Sequence, residues 1–438
     1  MSAVKPSIYS VGEVSGVDFR PGIVSIDIYE DVMVPTVTAR INIASSGGGV
    51  DGKSLYSGAE LRGGEPVSFR IEPNSDGNIP IDFSRRPLVI NKVQNVIRDA
   101  QREFLTLSLF SLEAYENETT FLQRKFSKEA TISQHVEDII AESFTRPLIR
   151  EVDAAQNKYG FLGNNTKPFH MMTNLASKAV PASAGSGTAG FFFFQTREGF
   201  SFRGVDTLAA QEPKAKFFYS EVMQKDCLDF FGSSELPSLD YKIIKYDILR
   251  NQDLVGNLQR GAYSTDRRIF DPIGHFVTGG EAAGFGGENY FKKSGGLQSL
   301  GARLGKLGDF SLGFDDGLSF SEKPSMILTD VFDFGTVDEG VTQDLTRNTF
   351  DYSSQSRTRY NTIFTQMLSV MVPLNSNIHA GDIVEISIPN ISPKKRVGLD
   401  KSQVSGLYMV KELNHHFDTQ GSYTTMVVMR DSYGKRKT

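Results

Sequence analysis

The sequence predicts an α+β fold in which β-structure dominates, and three observations carry that prediction. Apolar and polar residues alternate over many short runs, the period of a half-buried strand. Amphipathic helical periodicity is clear in two stretches, near residues 132–143 and 168–179. Seventeen prolines and 41 glycines among 438 residues punctuate the chain more often than a helical bundle tolerates.

Taken in order, Val24, Ile26 and Ile28 share one face of a first strand, with Ser25, Asp27 and Tyr29 on the other. Val37, Ala39, Ile41 and Ile43 predict the next strand, and Val67, Phe69 and Ile71 another after a Gly-Gly-Glu turn. Leu88 and Ile90 begin a further pair whose second arm carries Leu105, Leu107 and Leu109, with the turn over Arg98–Glu103. Such strands hide their apolar face only by closing or stacking, so a small barrel or sandwich is expected. Then the period changes. Ile132, Val136, Ile139, Ile140 and Ser143 fall on one helical face, and Thr131 with Gln134 forms a capping-box signal. Pro168 suits the first turn of a second helix reaching Ala179, with Met172, Leu175, Ala176 and Ala179 on one side. Residues 190–206 read as a hairpin turning at Arg197-Glu198-Gly199. Residues 274–317 carry a glycine every three or four positions, which is costly to order in isolation, and read as an extended insertion loop. A short helix over Ser353–Tyr360 comes next, then a strand over Gln366–Val372 and one with Val384, Ile386 and Ile388 on a single face. The last unit is a hairpin of Leu407–Leu413 and Tyr423–Met429, joined through His415-His416-Phe417-Asp418.

Composition narrows the function. With 39% apolar and 23% charged residues the chain belongs among globular proteins. A net charge of −5 argues against a protein that grips nucleic acid by its phosphates, and suits a surface that must not stick to DNA. Cys227 is the only cysteine, so neither an intrachain disulfide nor a thiolate metal site can form. The segment MSAVKPSIYS lacks the apolar core of a signal peptide, and no apolar run approaches the ~20 residues that cross a bilayer.

The motifs that match known chemistry do so in the wrong context. Gly47 to Ser54 satisfies the P-loop expression, but Gly58, Gly63 and Gly64 interrupt the next residues, and a strand stands where a helix should cradle phosphate. Gly185, Gly187 and Gly190 satisfy the dinucleotide fingerprint with helix and strand in reversed order, the mark of a linker. The six histidines (His135, His170, His275, His379, His415 and His416) show no zinc-ligand spacing, and His415-His416 reads as a surface turn. No carboxylate pair stands out for glycoside hydrolysis, and the absence of tryptophan removes the best platform for stacking sugars or bases. No catalytic residue, cofactor or metal is therefore expected.

Several phrases together resemble phage tail hub proteins. Gly381–Val384 matches the Gly-Asp-X-Val turn that opens a strand of that family's C-terminal barrel. Gly406–Val410 matches its Gly-X-Tyr-X-Val strand, His416-Phe417 its His-Phe turn, and Arg430-Asp431 its closing strand end. Residues 167–180 and 190–206 look like the family's helix-then-hairpin unit, and 247–273 is similar to the central hub of T-even-type contractile phages. The resemblance implies a mainly-β α+β chain with two tail-tube-like β-barrel domains plus two smaller domains. Residues 1–125 would form the first barrel, 126–210 a small α+β domain, 211–250 with 331–438 the second barrel, and 251–330 an inserted glycine-rich domain. It implies a homotrimer of pseudo-sixfold symmetry that adapts the hexameric tail tube, or a tube-initiator protein, to a trimeric spike or lysozyme-bearing needle protein. The place would be the virion's baseplate after assembly in the host cytoplasm, without enzymatic activity, cofactor or membrane insertion. A lumen that passes genomic DNA without holding it favours acidic polar strand faces, which makes Asp27 and Glu385 the expected channel-lining residues. Two other readings stay open: a baseplate-associated cell-wall hydrolase, and the spike-hub of a related contractile injection system.

Overall fold

The structure, a computed structural model, describes residues 4–45, 55–74, 77–99, 102–182, 188–219, 239–251, 253–263, 265–271, 276–278, 325–331, 353–389 and 403–431. The P-loop-like segment, Gly185, Gly187, Cys227, His275 and all of the glycine-rich stretch but residues 276–278 lie outside these.

A first β-unit comprises β1 (Ile8–Val14), β2 (Val17–Asp18), β3 (Ile23–Asp31), β4 (Thr38–Ser45), α1 (Leu55–Gly58), β5 (Pro66–Glu72), β6 (Ile81–Asp82), β7 (Leu88–Arg98) and β8 (Glu103–Phe110). The expected alternation holds on most strands: Ile41, Val67, Phe69, Ile71, Leu105 and Leu107 are fully shielded and gather in one core. Val24 is the exception, 40% exposed while Ser25 is buried. The register of β3 against β4 slips between Ile23 and Ser25, so a bulge turns Val24 outward and Ile26 and Ile28 inward.

A small α+β unit follows, with α2 (Leu112–Thr119), β9 (Lys125–Phe126), α3 (Ile132–Ser143), β10 (Ile149–Val152), β11 (Phe161–Leu162), α4 (Pro168–Ala176), β12 (Phe191–Thr196), β13 (Gly199–Gly204) and α5 (Val205–Ala209). The Thr131–Gln134 capping box opens α3 as read from sequence. Helix α4 stops at Ala176, three residues early, though Ala179 stays buried beyond its end. The β12–β13 hairpin turns at Arg197-Glu198 and is shielded on both faces. Phe191, Phe193, Phe200 and Phe202 enter the core of this unit, while Phe192 and Phe194 enter another cluster with Val32, Ile383, Met409 and Met429.

The rest of the described chain holds β14 (Ala215–Phe218), β15 (Lys245–Arg250), α6 (Leu254–Gln259), β16 (Thr265–Asp271), β17 (Phe276–Thr278), β18 (Met326–Val331), α7 (Ser353–Ile363), β19 (Gln366–Pro373), β20 (Ile383–Ser387), β21 (Gly406–Asp418) and β22 (Ser422–Arg430). β16, β17 and β18 form a separate small sheet. Helix α7 runs past the expected Tyr360 end, and its buried side is largely polar, including Thr358, Arg359 and Thr362. Arg359 is wholly enclosed and bonds Asp206 of α5 at 3.0 Å and Asp431 at 2.6 Å.

The last hairpin departs most from expectation. Residues 415–418 do not form its turn but extend β21, and His415 is completely buried. The extension has a non-local cause. Glu412–Asp418 pairs antiparallel with Asp31–Ser25 of β3, while Gly406–Met409 pairs with β20 on the same side. β21 thereby joins the first β-unit to the last in one 14-stranded sheet, whose main path begins β15-β19-β22-β21-β3-β4-β8-β7. Phe417, from the final hairpin, completes the core of the first unit.

Candidate functional site

Along the β21–β3 seam, the pleat sends alternate residues to opposite faces, and facing residues on paired strands share a face. One face is the core, where Ile26 meets Phe417 and Ile28 meets His415. The other is polar. Across it one row runs Tyr423, His416, Asp27, Arg40, Ser108, Lys92, and another runs Asp418, Ser25, Asn42, Thr106, Gln94. Hydrogen bonds tie these rows together. Asp27 accepts from His416 Nδ1 at 2.7 Å and from Asn414 at 3.2 Å, and Asn42 donates to Ser25 at 2.9 Å and accepts from Thr106 at 2.8 Å. Lys411 bridges Asp31 at 2.9 Å. The hydrogen bond to Asp27 raises the pKa of His416 above its ordinary value against the cost of its partial burial, and the charges of Asp27 and Asp418 add to the effect. Asp27, Asp31, Glu412 and Asp418 share this belt with Arg40, Lys92, Lys411 and His416, so its opposite charges are interleaved.

Of the two carboxylates expected to face a channel, Asp27 stands in the middle of the belt. Glu385 does not stand beside it: it lies on β20, ion-paired with Lys216 of β14 at 3.1 Å, at the other end of β21. Arg40 and Lys411 were not singled out by sequence, and His416 was read only as part of a turn. Residues 415–418 read as a turn because the strand that pairs with them, β3, lies nearly 400 positions away.

The phrases that carried the family resemblance turn out to hold the fold together. Gly381 adopts φ +87°, and a Cβ there would lie 2.9 Å from the Phe194 ring. Asp382 accepts from the His379 amide at 2.9 Å and faces Arg150 at 3.2 Å and Lys214 at 3.3 Å. Arg430 bonds Gln366 at 2.6 Å.

Behind the seam, on the core side, sits a second polar cluster. Glu30 is 1% exposed and its Oε1 and Oε2 each lie 3.2 Å from Nδ1 of the equally buried His379. Glu30 also accepts from the amides of Arg197, at 3.0 Å, and Ala380, at 3.1 Å. His379 Nε2 lies 3.2 Å from Glu198, which pairs with Arg150 at 2.9 Å. Burial pushes the Glu30 carboxyl up, but the His379 charge and hydrogen bond, with Arg197, overcome it and hold the pKa below the carboxylate range. Among the described residues no group of three or more His, Cys, Asp or Glu side chains could hold a metal ion, and no helix is long and apolar enough to cross a membrane.

With this geometry in view, two solved structures share the fold. A tail protein from Neisseria meningitidis MC58 superposes with a TM-score of 0.53 over 98% of this chain and 97% of its own, at 11% identity. The 43 kDa tail protein of prophage MuSo2 from Shewanella oneidensis does so at 0.52, over 98% of both chains, at 10% identity. No protein-family model and no curated protein matches the chain. The chain therefore has a fold found in phage tail proteins, mainly β with a smaller α+β part, along nearly its whole length.

Proposed function

We propose that the chain is a structural component of a phage tail, the central hub of a contractile baseplate, and not an enzyme. The observation that carries this reading is the seam: two β-units merge edge to edge through β3 and β21 into one sheet, with a polar belt centred on Asp27 across the join. The shared fold with tail proteins supports it. The path from β15 to β7 contains eight strands, four on each side of the seam. Among the described residues no strand pairs with the outer side of β15, and β5 covers β7 only near Leu88 and Val89. The remaining edges expose Ile248, Leu249, Val96 and Ile97, apolar side chains on strands still able to accept a neighbour.

Three copies joined head to tail, β15 of one against β7 of the next, would close the sheet into a ring of six similar units. That heterologous contact covers both of these edges at once. Its inner wall is the polar belt, with Asp27 at the centre of each seam, whose interleaved charges do not hold the phosphates of passing DNA. One face of the ring would meet the hexameric tube and the other a trimeric spike or needle protein. Residues 1–125, 126–210, 211–250 with 331–438, and 251–330 serve as first barrel, α+β domain, second barrel and insert in this scheme. Glu385 keeps its proposed lumen role only if β20 also lines the ring.

Mass in solution tests the reading. The expected result is a trimer of 48.4 kDa chains that takes up the trimeric spike protein of the same tail. A stable monomer at micromolar concentration that ignores the spike would refute it.

A further inference from the structure

The buried cluster behind the seam gathers charged groups from segments far apart in sequence. β3 contributes Glu30, the β12–β13 turn Arg197 and Glu198, and β10 Arg150; the loop ahead of β20 brings His379 and Asp382, the approach to β14 Lys214, and β21 His415. His379 Nδ1 faces Glu30, while Nε2 faces two competitors: Glu198 Oε1 at 3.2 Å and Arg197 Nη2 at 3.4 Å. A protonated Nε2 donates to the carboxylate and repels the guanidinium. A bare Nε2 repels the carboxylate and accepts from the guanidinium. Arg197 Nη2 is already within reach of Nε2, and carries a second N–H beside the one it gives to the Ser376 carbonyl.

We propose that His379 is a proton-operated latch: charged, it ties Glu198 to Glu30 and pins the β12–β13 turn between β3 and the loop ahead of β20, and neutral, it drops the Glu198 ion pair and leaves the turn held by the longer Arg197 contact and the Arg197 amide on Glu30, so the turn loosens without coming free. Proton balance is simple. Nε2 loses its proton to solvent through the half-exposed Glu198 side, and Nδ1–H stays on Glu30. The charges around His379 set the direction. Burial disfavours the imidazolium, but Glu30 and Glu198 outweigh burial and Arg197, so its pKa is raised. Glu198 is held down to about 2, first by its hydrogen bond from His379 and then, against burial, by the charges of His379, Arg150 and Lys214. His415 stays neutral, because burial and then Arg197 push its pKa well below the ordinary value. The latch contribution is therefore complete below the ordinary histidine pKa and is lost as pH rises through the raised value. It is a property of a single chain and stands apart from the hub reading.

The test is hydrogen–deuterium exchange of the whole protein between about pH 6 and pH 9, corrected for intrinsic rates, with β8 as internal reference. Protection of residues 195–200 should fall about tenfold relative to β8 over this range, the scale of one pH unit of coupled titration. In His379→Gln the fall should vanish. Glu198→Gln, altered at the accessible rim, should move the fall to lower pH. No pH-dependent loss in the wild-type protein, or the same loss in Glu198→Gln as in wild type, would overturn the latch. The second variant decides the matter if the first does not fold.

Discussion

Asp27 and Glu30 lie three residues apart on one strand and face opposite sides of the sheet, which gives them opposite work. Glu30 is buried and kept ionised by His379 and Arg197. Asp27 is on the polar face, where its partner His416 is 32% exposed at the side chain. Changing Asp27 to Asn removes the leading cause of the raised His416 pKa. Its imidazole should then titrate closer to about 6.5 in an NMR titration. An unchanged midpoint would show that Asp418 alone sustains the shift. The raised value also fixes the sign for stability: the His416 contribution is complete below about pH 6.5 and disappears as pH climbs through the folded-state value. The polar face of residues 24–29 was readable from alternation. That its aspartate would meet a histidine almost 390 residues away was not, because a period identifies a face but not its partner strand.

Elements differ in how locally they are specified. Helix α3 carries its own start signal in Thr131 and Gln134 and its own apolar face, and it forms where periodicity places it. Thr131→Ala removes the cap and should cost about 1 kcal/mol in denaturant unfolding. Helix α7 has no such stripe. Its enclosed Arg359, Thr358 and Thr362 read as solvent-facing residues, and only Asp206, Asp431 and the carbonyls of Gly261 and Ala262 make them interior ones. The turn before β20 depends on glycine. Gly381→Ala imposes a Cβ against Phe194 at a positive φ, and should destabilise by about 1–3 kcal/mol. A midpoint equal to wild type in denaturant would mean that the turn can relax freely.

For the whole molecule, the question is what completes an open sheet. A sheet with exposed apolar side chains on its β15 edge and on the part of β7 that β5 leaves uncovered is open to uncontrolled association unless a defined neighbour covers them. Ile97 is 64% exposed on β7 and Leu249 is 54% exposed on β15. If these edges meet in a ring, Ile97→Lys and Leu249→Lys should each leave the thermal unfolding of the chain almost unchanged. Each should weaken self-association about tenfold, the effect of ~1.4 kcal/mol per interface, as seen by sedimentation. Trimers of undiminished affinity in both variants would place the contact elsewhere.

Short-range pattern was enough to settle that the chain is mainly β, where the clearly alternating strands around the two cores run, which helix is capped, and where the Phe-rich hairpin turns. These follow from side-chain period and turn chemistry, which act over a few residues. The strands β1, β2, β6, β9–β11 and β14–β18 carry too little alternation to be placed that way. Tertiary structure alone decided that β21 continues through His415 and His416, that Phe417 fills the core of the first unit, and that Glu30 finds its counter-charge on His379. Each depends on the β3–β21 seam or the loop packed behind it. Pairing between distant strands leaves no local trace, because either strand alone is satisfied by water until the other arrives.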